Sequence, residues 1–144
     1  MTHKRRLVCG AIAILAAAVP LHSASATCPN ALASGAVWHL HIMEVSPSPD
    51  GANVIKCVMT FGSGGNFTAP CTNFNTGSTA AQSVNISGKI TLTAACDFTG
   101  TITIPSDAKA FVKFGHINGN IGSGIGIQGT GANTQVLHLT LVKK

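Results

Sequence analysis

A short stretch of the chain is arranged symmetrically about one loop, and that symmetry constrains the fold more than any other feature. Phe61 and Phe67 flank Gly62-Ser63-Gly64-Gly65-Asn66. If this loop closes a hairpin, residues whose numbers add to 128 face each other. Phe61/Phe67, Met59/Ala69 and Cys57/Cys71 then lie opposite one another on one face, because strand side chains alternate. Facing residues have Cα atoms about 4.5–5.5 Å apart, within reach of a disulfide. An aromatic pair and a cysteine pair thus share one antiparallel register. Pro70 has no N–H to contribute, so its nitrogen must point away from the preceding strand or sit at a bulge.

The rest of the chain beyond Ala26 reads the same way. Short runs of Val, Ile, Thr and Phe are separated by Gly, Asn, Ser and Pro, the pattern of an all-β domain. Strands are expected near 36–45, 53–61, 66–73, 82–87, 89–95, 98–104, 109–117, 124–128 and 135–142. Trp38, Leu40 and Ile42 share one face of the first, with His39 and His41 on the other. Leu137, Leu139 and Leu141 face away from His138 and Thr140. One apolar and one polar face per strand suits an antiparallel sheet. Closing the sheet protects its edges, so the expected fold is a single antiparallel meander forming a small barrel. A β-sandwich and a short β-solenoid are the alternatives. The solenoid rests on an echo between Gly88-Lys89-Ile90-Thr91-Leu92-Thr93 and Gly100-Thr101-Ile102-Thr103-Ile104-Pro105. Two copies are fewer than a solenoid stacks, and a hairpin turning around Ala95-Cys96-Asp97 is the favoured explanation of them. The glycines between 115 and 131 form no phosphate loop and are read as structural.

The N-terminus predicts export. Lys4, Arg5 and Arg6 precede an apolar run from Leu7 to Val19, and Ala24-Ser25-Ala26 offers a cleavage site. Residues 1–26 are therefore expected to be a secretory signal peptide of bacterial type, and 27–144 a single disulfide-bonded β-domain. No later segment is long and apolar enough to span a bilayer as a helix. The remaining cysteines, Cys28, Cys57, Cys71 and Cys96, are even in number and include no C-x-x-C pair, which points to two disulfides in an oxidising compartment, secreted or periplasmic. With Cys57 bonded to Cys71, Cys28 is left for Cys96.

Once the signal is removed, the charge is low. Six lysines stand against Glu44, Asp50, Asp97 and Asp107, a formal balance of +2 with no arginine. A nucleic-acid surface needs clustered Lys and Arg, so that class is set aside. No serine sits in a nucleophile elbow and no carboxylate pair is indicated. No catalytic residue, cofactor or enzymatic activity is expected. His39 and His41 share a strand face, and His138 would join them if the first and last strands pair. The three are candidate metal ligands, weighed against the simpler reading of polar residues on the wet face.

Gly35-Ala36-Val37-Trp38, opening the first strand, resembles the start of lipocalin- and avidin-type barrels. The resemblance implies an architecture and carries no binding residue across. The expected function is that of a non-enzymatic β-domain that binds a small apolar ligand or a protein partner. The alternative is a structural or surface-assembly protein whose strand edges pair with neighbours.

Overall fold

Period-two alternation builds eight strands in a computed structural model that describes residues 28, 31–45, 52–77, 80–105, 109–131 and 134–144. The expected signal peptide, Asp50 and Asp107 lie outside these residues. Strands β1 (Val37–Val45), β2 (Ala52–Phe61), β3 (Asn66–Asn75), β4 (Gln82–Leu92), β5 (Asp97–Thr103), β6 (Ala110–Asn118), β7 (Ile121–Gln128) and β8 (Gln135–Lys143) follow in order. Each pairs antiparallel with the next, and β8 returns to pair with β1, closing the barrel. This is the up-and-down meander, not the sandwich or the solenoid, and it leaves none of these eight strands with a free edge.

The mirror about residue 64 holds along the whole β2–β3 hairpin, from Asn53↔Asn75 to Phe61↔Phe67. Cys57 and Cys71 are directly opposite and disulfide-bonded, with Cα atoms 4.1 Å apart. The two phenylalanine rings meet edge to face, 5.8 Å between centroids, an arrangement that suits their opposed quadrupoles. Pro70 introduces no bulge. It faces outward, and the pairings missing from this ladder are those at Ala69 and Pro70. The β4–β5 hairpin accounts for the internal echo, pairing Gly88 with Ile102 and Ile90 with Gly100.

Three details differ from expectation. Gly88 does not divide its region into two strands: β4 runs through it, so nine expected strands become eight. A Cβ at Gly88 would lie 2.8 Å from the Phe67 ring, so this glycine makes room for an aromatic side chain and does not break the strand. The glycine-rich strand begins at Ile121 instead of 124. Gly122, Gly124 and Gly126 all face the interior, and Phe98 fills the space beside Gly124 and Gly115: Cβ atoms added there would lie 3.0 and 2.1 Å from its ring. Finally, β6 carries a bulge between Val112 and Phe114, which leaves both Lys113 and Phe114 facing out.

The interior is packed with side chains. Trp38, Leu40, Ile42, Ile55, Met59, Phe61, Phe98, Ile102, Leu137 and Leu141 are buried together, as befits an eight-strand barrel whose lumen is about one layer of side chains wide. Its two ends differ. At one, Ala31 is buried against the core, its carbonyl accepts a hydrogen bond from Trp38 Nε1 at 2.7 Å, and Cys28 is bonded to Cys96. Gly35 N–H donates to Phe61 C=O at 2.7 Å, so the segment before β1 lies across this end as a plug. At the other end the inward positions become polar: Glu44, Asn53, Asn73 and Gln128 continue the faces that carry Ile42, Ile55, Cys71 and Gly126.

Candidate binding surface

Barrel closure makes β1 and β8 neighbours, but their register does not assemble the histidines. His41 faces Thr140 on β8 and Lys56 on β2, whereas His138 faces Met43. His39 lies two residues further from His138, opposite Val142 and Val58. Among the described residues no group of three His, Cys, Asp or Glu side chains is placed to hold a metal. A lysine ammonium beside His41 would also repel a bound cation. All three imidazoles lie on the outer wall.

That wall is organised in rows, because cross-strand neighbours line up around a barrel. A polar row passes through Asp97, His116, Ser123, Thr140, His41, Lys56, Thr72 and Ser83, one residue from every strand. Asp97 Oδ1 is 2.9 Å from His116 Nδ1, with both side chains more than half exposed. Water screens such a pair, which contributes little stability. Asp97, His116 and Ser123 are in the order of a nucleophile triad, yet no hydrogen bond joins His116 to Ser123 among the described residues. A triad needs that link.

Beside this row lies a different surface. Phe114, Ile125, His138, Met43, Val54 and Phe74 are successive cross-strand neighbours on β6, β7, β8, β1, β2 and β3. Phe114 is 61% exposed, Met43 51% and Phe74 53%. A second row, Phe111, Ile127, Val136 and Val45, runs parallel to it toward the polar end of the barrel. The two rows make one apolar belt. Where β5 to β8 meet, the belt borders a groove of about 540 Å³ lined by Phe114, Ile125, His116, Ser123, His138 and Thr140. Lys113 stands at its edge with its ammonium 5.4 Å from the Phe111 ring centroid, a cation–π distance.

Sequence reasoning found the outward histidines but missed the belt. The bulge conceals it, because an unbroken alternation cannot place both Phe111 and Phe114 outside. The remaining signal was present: Met43 and Val45 have the parity of His39 and His41, not that of Trp38 and Leu40. Comparison with protein-family models, with curated proteins and with solved structures found no match.

Proposed function

We propose that the protein is an exported, non-enzymatic barrel that binds a protein partner through the apolar belt on the outer wall of β6, β7, β8, β1, β2 and β3. The observation that carries this reading is the belt itself, two adjacent rows of exposed Phe, Val and Met side chains with the half-buried Ile125 and Ile127 among them. A contiguous apolar surface of this kind, rimmed by polar groups, marks an interaction site. Exposed aromatic and Met side chains are the types enriched in interface cores. The exposed Lys56 and Lys113 flank it, so the partner offers apolar side chains bordered by carboxylates.

Other features favour this reading over its competitors. The filled interior leaves the outer wall as the better place for an apolar contact than the lumen. The closed ladder leaves none of the eight described strands an edge for edge-to-edge assembly. Apolar residues inside and Lys56, Thr72 and Thr140 outside reverse the polarity of a lipid-spanning barrel. Two disulfides fit an oxidising compartment.

The test is the size of the protein in the native extracytoplasmic extract. Wild type is expected in a species larger than the purified protein. A Phe114→Ser, Met43→Ser variant is expected at the purified size with its thermal stability retained. Wild type at the purified size in the extract contradicts the proposal. Growth of the purified protein with concentration replaces the partner by a second copy of this chain.

A further inference from the structure

The polar end of the barrel carries a second site. Along β1, β2, β3 and β7 the inward face is apolar until the last position or two at this end, whereas Ala110 on β6, opposite Gln128, keeps that face apolar. There Glu44 enters from β1, Asn53 from β2, Asn73 from β3 and Gln128 from β7. Glu44 is 3% exposed and Gln128 4%. Register places them around one lumen. Glu44 is opposite Asn53 on one side and Leu137 on the other. Leu137 is opposite Gly126, and Gln128 is the next inward residue beyond that glycine. Asn73 is opposite Ile55, the inward neighbour of Asn53 along β2.

The orientation of one side chain is fixed. Asn53 Nδ2 donates to Glu44 Oε2 at 2.9 Å, which turns Asn53 Oδ1 away from the carboxylate. That oxygen and Asn73 Oδ1 are both buried, and neither has a donor among the described residues. Buried acceptors are nearly always satisfied, and an unsatisfied one costs stability. Leucine or valine at these positions would simply extend the apolar core, as the same faces do one position further in. Amide oxygens beside a carboxyl group are the donors of a hard cation. We propose that Glu44, Asn53, Asn73 and Gln128 form a site for a hard divalent cation of the calcium class at the polar end of the barrel.

The donor set sets expectations for affinity and selectivity. One carboxylate among neutral carbonyl oxygens belongs with weak calcium sites, dissociation constants of about 10⁻⁴–10⁻³ M. Magnesium demands tighter octahedral geometry and parts with water reluctantly, so side chains drawn from four separate strands suit it less well.

The experiment is thermal unfolding of the exported, disulfide-bonded protein, stripped with chelator and titrated with calcium chloride, alongside calorimetry of the same titration. The melting temperature should rise and saturate in the millimolar range, since a ligand bound only by the native state stabilises it. Magnesium should act at least tenfold more weakly, and Glu44→Gln should weaken calcium at least tenfold. Asn73→Ala, which leaves the Glu44–Asn53 hydrogen bond in place, should weaken it several-fold and serves as the readout if Glu44→Gln does not fold. The proposal is overturned if calcium has no effect, if sodium chloride at equal ionic strength has the same effect, or if the folded variants bind as wild type does.

Discussion

The two ends of this barrel are made from the same eight strands and solve opposite problems. At the plug end, inward residues are large and apolar, and chain outside the barrel is fastened across them. Trp38, Phe61, Phe67 and Phe98 meet there, Ala31 takes the one polar atom Trp38 must satisfy, and Cys28–Cys96 ties the segment down. At the polar end, Glu44, Asn53, Asn73 and Gln128 enter the lumen beside Ala110 and Leu137, and further apolar side chains lie outside, in the belt of Phe111, Phe114, Ile127, Val136, Met43 and Val45. One end is organised for stability. The other keeps polar groups inside and apolar groups outside, an arrangement that lowers stability and is therefore where function is to be sought.

The largest effect expected from breaking this contrast comes from the plug's disulfide. Replacing Cys28 and Cys96 together by Ser opens a loop with a sequence separation of 68, and should cost about 4 kcal/mol in the chain-entropy account. Replacing Cys57 and Cys71 together, with a separation of 14, should cost less, about 3 kcal/mol. Chemical denaturation of the two double variants measures both. Equal costs, or the reverse order, would mean that the plug is not what fastens the barrel. Next comes the packing beneath it. Gly115→Ala puts a methyl group against the Phe98 ring, whose nearest atom is 2.1 Å from the ideal Cβ position. Overpacking of this kind should cost about 1–3 kcal/mol, read from the denaturation midpoint.

Much of this architecture is legible in the sequence, and the illegible parts have physical causes. The β2–β3 register follows from Phe61/Phe67 and Cys57/Cys71, because a hairpin fixes every pair once one is fixed. Trp38, Leu40 and Ile42 on β1, and Leu137, Leu139 and Leu141 on β8, reveal the core face of the two strands that close the barrel. Gly88 misleads because glycine is a common punctuator, yet here its missing side chain accommodates the Phe67 ring, a contact between strands that no local pattern records. The β6 bulge is invisible because one extra residue at Lys113 leaves composition unchanged and reverses the parity of the strand from Phe114 onward. The polar end is a different omission. Glu44 has the parity of Trp38, Leu40 and Ile42, Asn53 that of Ile55, and Asn73 that of Cys71. Extending each alternation by one step would have placed a carboxyl group and two amides inside.

The smallest expected effect belongs to that end. Asn73→Leu removes a buried acceptor that has no donor among the described residues and adds apolar surface to a lumen already lined with it. In the absence of divalent cations its stability should lie within about 0.5 kcal/mol of wild type or above it. A loss as large as that of Gly115→Ala would make Asn73 a structural residue and remove the distinction between the ends.

The most direct test of that distinction is residue-resolved amide hydrogen exchange of the native, oxidised protein. At the plug end, the amides of Gly35 and Phe61, which donate to Phe61 and Ala36 carbonyls, and of Ile117, which donates to Cys96, should exchange only through global unfolding. At the polar end, Thr76 and Thr134, which donate to Ala52 and Gly131 at 3.2 Å each, should exchange through smaller local openings and much faster. Gly35 and Ile117 exchanging as fast as Thr76 and Thr134 would contradict a barrel closed at one end by its own N-terminal segment.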